Sequence, residues 1–146
     1  MADLKSEAGT LLAGLKEEVA LYGRIGAVST EELRLVKEAE LEKATGVLAR
    51  KQEMLAELGG IEDRIRPLKE RWPEIRPVIP PEVQLSFQAT LRELSEMLEK
   101  LIAVERETEE VLSGQIALVR KRTGPVLSEE NVRKAYGVRP EGKRKD

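Results

Sequence analysis

The chain of 146 residues contains no cysteine and no histidine. Without cysteine it can form no disulfide and has no thiol nucleophile, which fits a reducing compartment. Without histidine, Ser–His–Asp and Cys–His nucleophile systems are excluded, and so are zinc sites built on cysteine or histidine. The acidic residues alternate with lysine and arginine, as they do on solvated helix faces. We therefore predict that the chain is not an enzyme and holds no metal or cofactor.

Aromatic residues are also scarce, at 3% of the chain, whereas charged residues make up 36%. This composition, rich in Ala, Glu, Leu, Lys and Arg, is typical of long helices. The 25 basic and 27 acidic residues are interspersed, so they create no field that would attract nucleic acid or anionic lipid. No apolar run approaches the length of a membrane span, and the N-terminal residues lack the basic start of a signal peptide. We expect a cytoplasmic protein with no nucleic-acid partner and no membrane insertion.

Proline divides the chain into two arms. Five of the seven prolines lie within 66–83, and proline cannot continue a helix interior. The predicted single domain, 1–123, therefore has a first arm at about 3–65, a connection at 66–81 and a second arm at about 82–123. Gly124 followed by Pro125 ends the second arm. Beyond it, 124–146 is predicted to be a docking segment followed by a disordered tail.

Both arms carry apolar stripes at helical spacing, which must be buried against each other. The predicted fold is all-α, either a long antiparallel α-hairpin or an elongated bundle of three to four helices. The choice depends on whether the first arm breaks near Gly26, where Ser29 and Glu32 fit a capping box, or bends there as one helix. Lys51 interrupts the stripe of the first arm. We predict that its stem covers apolar surface while its ammonium group reaches water.

The stripe of the second arm is interrupted at Glu105 and Thr108, between Leu101 and Leu112. A polar interruption at core spacing fixes the register of a bundle, faces water, or marks a groove left open for another chain. Because a thin hairpin leaves part of each stripe exposed, we expect a homodimer or a partner helix to cover it. Glu105, Thr108 and Leu112 are the predicted partner contacts on this arm.

A second set of predicted partner contacts lies after Pro125. Ser128 is a suitable N-cap for a short, mobile C-terminal helix, which places Val132, Ala135 and Tyr136 on one face, with Leu127 packing against that helix. A helix this short is marginal alone in water, so it would become ordered on docking. Its apolar face is equally suited to closing the end of its own bundle and to contacting a partner helix.

The stretch Glu40-Leu41-Glu42, followed by Lys51, Leu55 and Leu58 and ending at Glu62-Asp63-Arg64, resembles the core signature of FlgN-type flagellar export chaperones. Tyr136-Gly137 is similar to the Tyr-Gly element that closes many members. The family often carries two asparagines three residues apart where this chain has Glu105 and Thr108, which puts any role for amides in doubt. The resemblance also favours one bent first helix through residue 26.

The resemblance implies a cytoplasmic, non-enzymatic chaperone of flagellar type III secretion. Such a protein binds hook-associated proteins and holds their terminal helices unassembled before export, with much of the contact made by the C-terminal region. The competing prediction is a structural or adaptor coiled-coil protein that self-associates without an export substrate. The spacing of the apolar residues does not distinguish the chaperone from the adaptor, because both require the same amphipathic arms.

Overall fold

The structure is a computed structural model that describes residues 3–123, with side-chain environments up to residue 118. It contains four α-helices: α1 (Leu4–Lys37), α2 (Leu41–Glu70), α3 (Trp72–Ile75) and α4 (Pro81–Thr123), with a 3-10 turn at Arg76–Val78 between the last two. No strand occurs in this part of the chain. The prediction of an all-α bundle is confirmed.

Helix α1 lies between the other two long helices. Its backbone approaches both α2 and α4 closely, whereas α2 and α4 remain farther from each other. Contacts such as Arg24 to Glu57 and Lys51 to Glu32 show that α2 is antiparallel to α1. Ser29 contacts Glu105 while Val36 contacts Gln115, so α4 is parallel to α1. At about 1.5 Å per residue, the 43 residues of α4 extend over about 65 Å.

The first arm consists of two helices, but its break is not near residue 26. Helix α1 continues through Gly26 and Ser29 to Lys37, so the predicted helix start at the Ser29 capping box was wrong. The chain reverses at Ala39, whose φ of 58° lies in the left-handed region. The amide of Ala39 donates to the carbonyl of Val36, and that of Glu40 donates to Leu35. These are the two hydrogen bonds of a Schellman motif, here with alanine where glycine is usual.

The predicted connection at 66–81 is shorter than expected. Helix α2 includes Pro67 and ends at Glu70, because a proline in the last turn of a helix removes only one backbone hydrogen bond. The second arm is the single helix α4 (Pro81–Thr123). Trp72 packs on Phe87 with ring centroids 4.9 Å apart and closes this end of the bundle.

The core consists of two clusters along the bundle. The lower cluster joins α1 and α2 to α3 and the start of α4, and its largest buried members include Ile25, Ile65, Ile75 and Phe87. The upper cluster joins the end of α1 to the start of α2 and to Leu112 of α4. Between the clusters α2 has no buried residue from 52 to 60, and α4 has none from 91 to 107.

Candidate functional site

Several exposed apolar side chains lie at this middle section of the bundle. Three of the exposed large apolar side chains are Leu55 on α2, 43% exposed, and Leu91 and Ile102 on α4, 46% and 50% exposed. Their neighbours at helical spacing, Leu58, Leu94 and Leu98, are half-buried. By their helical positions these six residues face the gap between α2 and α4, next to α1, which we call the waist groove. An apolar surface of this kind between two helices is a candidate binding surface for a further helix.

Matching heptad registers produce the groove. Helix α2 has a 4–3 spacing through Lys51, Leu55, Leu58, Glu62 and Ile65, and α4 has it through Leu91, Leu94, Leu98, Leu101 and Glu105. On α1 the same spacing includes Glu18, Tyr22, Ile25, Ser29 and Glu32. A heptad seam keeps one helix face turned to its neighbours, so these three series stack in layers. In this register Glu18, Glu62 and Leu94 share one layer, Ser29, Lys51 and Glu105 share another, and two apolar layers lie between them. Leu91 lies one layer below the lower charged pair.

The upper charged layer consists of Ser29, Glu32, Lys51 and Glu105. The ammonium nitrogen of Lys51 lies 2.6 Å from Glu32 Oε1 and 2.8 Å from Glu105 Oε1, and Ser29 Oγ donates to Glu105 Oε1 at 2.9 Å. The side chains of Glu32 and Lys51 are 1% and 8% exposed, whereas Glu105 remains 41% exposed. This layer links all three long helices through charge-assisted hydrogen bonds.

Burial and hydrogen bonding act in opposite directions on the pKa values of Glu32 and Lys51 in this layer. Burial raises the pKa of the Glu32 carboxyl, although the hydrogen bond from Lys51 opposes that shift. For Lys51, burial lowers the pKa, but hydrogen bonds to Glu105 and Glu32 outweigh it and the net direction is upward. Glu32 Oε2 is buried without a hydrogen-bond partner. The prediction that the Lys51 ammonium reaches water was therefore wrong, because two carboxylates replace water around it.

The lower charged pair consists of Glu18 on α1 and Glu62 on α2. Glu18 is 1% exposed and its Oε1 has no hydrogen-bond partner. Burial, followed by the neighbouring Glu62, raises the pKa of Glu18 to about 7, while the pKa of Glu62 is lowered by its hydrogen bond with Glu18. Lys69 lies 3.2 Å from Glu62 on the solvent side. No lysine occupies the position that Lys51 holds in the upper layer.

The predicted partner contacts on α4 have different environments. Glu105 lies at the end of the waist groove and keeps an open edge. Thr108 is 4% exposed and its hydroxyl donates to the carbonyl of Val104, and Leu112, 1% exposed, belongs to the upper core cluster. Thr108 and Leu112 are packed inside the bundle, and their contact with a partner stays a prediction. Leu127, Val132, Ala135 and Tyr136 lie outside the residues that the structure describes.

Glu18, Glu32 and Ser29 were not predicted as part of a site. Their signal was present, because each replaces an apolar residue within the heptad series Leu11, Leu15, Glu18, Tyr22, Ile25, Ser29, Glu32 and Val36. Within the described part of the chain, no group of three or more acidic residues is placed to hold a metal ion. No helix there is long and apolar enough to cross a membrane.

No family model, curated protein or solved structure matches this chain. The site is therefore interpreted from its own geometry. It combines a half-open apolar groove about three helical turns long with one charged layer at its upper end and a second charged pair between Leu91 and Leu98, and this arrangement suits the binding of a helix.

Proposed function

We propose that this protein is a cytoplasmic, non-enzymatic export chaperone of the FlgN type. It binds the terminal helices of hook-associated flagellar proteins and keeps them unassembled before type III secretion. The observation that carries the proposal is the waist groove. An amphipathic helix with apolar residues at three- and four-residue spacing would add a fourth helix to the bundle and cover Leu55, Leu91 and Ile102.

The size of the groove supports a helix as the occupant. From Leu91 to Ile102, α4 advances eleven residues, or about 16 Å at 1.5 Å per residue, which is three turns. Burying the apolar parts of three such side chains contributes several kcal/mol at about 25 cal/mol per Å², before the cost of association. The net affinity is therefore moderate, which suits a chaperone that must release its substrate at the export gate.

The resemblance in sequence supports the identity of the partner, since the FlgN-like stretch at 40–64 includes the α2 side of the groove. In this proposal the C-terminal residues Leu127, Val132, Ala135 and Tyr136 make a second contact with the same substrate. The competing function is self-association as an adaptor. In that case a second copy of this chain would cover Leu55, Leu91 and Ile102.

The test compares three altered chains for binding to purified hook-associated proteins by titration calorimetry. The double variant Leu55→Gln with Ile102→Gln should reduce affinity at least tenfold, because both side chains lose apolar contact with the partner. The control is Leu85→Gln, which changes an α4 leucine that is 64% exposed and lies outside the groove. A chain ended after Thr123 measures the C-terminal contact separately.

Sedimentation of each chain alone identifies the competing function. If the intact chain binds no hook-associated protein but forms dimers that the groove variant dissociates, the adaptor function replaces the proposed one. If the Leu85 variant weakens binding as much as the groove variant does, the waist groove is not the binding site.

A further inference from the structure

The upper charged layer and the lower charged pair differ in one respect that bears on the partner. In the upper layer, two carboxylates from α1 and α4 approach one lysine from α2. In the lower pair, two carboxylates from α1 and α2 lie together, and α4 provides Leu94 at the corresponding heptad position. Lys69 pairs with Glu62 from the solvent side, but no cation among the described residues forms an ion pair with the buried Glu18, and a buried carboxylate without such a partner is unfavourable.

Glu18 has a buried oxygen without a hydrogen-bond partner, as Glu32 has in the upper layer, but Glu32 forms an ion pair with Lys51 and Glu18 forms none among the described residues. Glu18 is 1% exposed, and its Oε1 makes no hydrogen bond within the described residues. Buried polar atoms in native proteins nearly always have a partner. Lys69 does not supply it, because this lysine bonds to Glu62 at 3.2 and 3.4 Å from the next turns of α2 and makes no hydrogen bond to Glu18.

Glu62 makes the pair accessible to a partner. Its side chain is 36% exposed, and it follows Leu55 and Leu58 on the same face of α2 at seven- and four-residue spacing. A helix lying on those two leucines therefore passes over Glu62, which neighbours Glu18. A lysine or arginine of that helix has the reach to place its charged group there while its stem covers leucine.

We propose that the partner is an amphipathic helix that carries a lysine or arginine within its apolar stripe, and that this basic group pairs with Glu62 and Glu18 as Lys51 pairs with Glu32 and Glu105. The inference rests on the proposed function, because it assumes that the waist groove binds a helix. It adds the chemical class of partner helix that the groove selects, namely one with a basic residue in its apolar stripe. The upper layer already contains its own lysine, so the selection operates only at the lower pair.

The test uses three synthetic amphipathic peptides of eighteen residues that share one leucine stripe. At one position in the stripe they carry lysine, glutamine or glutamate, whose helix propensities are close, so the peptides differ mainly in charge. Binding to the intact chain is measured by fluorescence anisotropy at pH 7.5 and low salt. We expect the lysine peptide to bind about tenfold more tightly than the glutamate peptide, with glutamine between them.

The variants Glu62→Gln and Glu18→Gln should remove most of that preference, and circular dichroism establishes that both remain folded. The matched control is Glu57→Gln, an α2 glutamate that is 54% exposed and pairs with Arg24 away from the groove. It should keep the preference. Binding of all three peptides with equal affinity, or a preference that survives both variants, would overturn the inference and leave the helix-binding function standing. If no peptide binds, helix binding by the groove fails and this inference fails with it.

Discussion

The upper charged layer and the lower charged pair show two ways in which one bundle contains buried carboxylates. In the upper layer, Lys51 lies between Glu32 and Glu105, and Ser29 adds a donor. In the lower pair, Glu18 and Glu62 have only each other and the solvent-exposed Lys69. In the upper layer the cation lies between both carboxylates, whereas in the lower pair the cation, Lys69, forms an ion pair with Glu62 alone.

The difference follows from the residue that α4 brings to each layer. In the upper layer α4 contributes Glu105, whose carboxylate forms an ion pair with Lys51 of α2. In the lower layer the α4 heptad position is Leu94. Polar residues at seam positions commonly fix the register of packed helices at some cost in stability. The upper layer fits that role, because its hydrogen bonds can form at only one alignment of the three helices.

The largest expected effect comes from breaking the upper layer. Lys51→Ala removes the cation between two carboxylates and leaves Glu32 buried without compensation. Removing one partner of a buried ion pair costs about 3–5 kcal/mol, so we expect a loss of that size in the free energy of unfolding. Urea denaturation followed by circular dichroism measures it.

The control for this prediction is Lys43→Ala. Lys43 pairs with Glu40 at 3.4 Å, and its side chain is 71% exposed. An exposed pair of this kind contributes about 0–1 kcal/mol. If the Lys51 variant loses no more stability than the Lys43 variant, the upper layer is not a buried ion pair in solution.

Much of the fold follows from local sequence signals. The two arms, the proline-rich connection and the start of α4 at Pro81 are determined by heptad spacing and by proline, which act within a few residues. The break at Ala39 was missed because its Schellman motif uses alanine, so no glycine or proline marks it. Gly26 did not end the helix, because a glycine costs a helix only about 1 kcal/mol and tertiary packing exceeds that.

The charged layers were predicted less well, because they depend on residues distant in sequence. Lys51 is 19 residues from Glu32 and 54 from Glu105, and only the packing of three helices brings them together. A lysine at a seam position was visible in the sequence, but its charge partners were not. Glu18 and Glu62 likewise occupy seam positions, and their pairing depends on the antiparallel register of α1 and α2.

The second prediction concerns the lower pair and pH. The folded-state pKa of Glu18 is about 7, above its ordinary value of 4.5, so the folded chain holds a proton that the unfolded chain releases between these values. Stability is therefore greatest at the acidic end of this window and falls as pH rises to 7. Glu62, whose pKa is lowered, acts in the opposite direction, and Tyr22 and Lys69 also face the pair. We expect a net loss of stability as pH rises to 7, because the shift in the pKa of Glu18 is the larger of the two.

Glu18→Gln should abolish most of this dependence and make the protein more stable at pH 8, because glutamine carries no charge to bury. Urea denaturation at pH 5 and pH 8 measures the free energy of unfolding of the unaltered chain and of the Glu18 variant. Glu57→Gln serves as the control, since its exposed carboxylate pairs with Arg24. A pH slope that is the same with and without Glu18 would show that the lower pair does not hold a proton.

The smallest effect on stability is expected from making the lower pair resemble the upper layer. Leu94→Lys places a cation from α4 at the heptad position opposite Glu18 and Glu62, at the cost of a half-buried leucine. The ion pair gained and the apolar area lost nearly cancel, so the free energy of unfolding should change by no more than about 1 kcal/mol.

The carboxyl pKa of Glu18 should nevertheless fall well below 7 in this variant, because the new ammonium group favours the charged form. Carbon-detected NMR of the glutamate carboxyl groups follows that titration directly. Leu85→Lys adds the same charge at an exposed position of α4 outside the groove and should leave the titration unchanged. If Leu94→Lys leaves the titration equally unchanged, Leu94 does not face the pair. A cation that pairs with Glu18 would then have to enter from the α2 side, along Glu62, and not from across the groove.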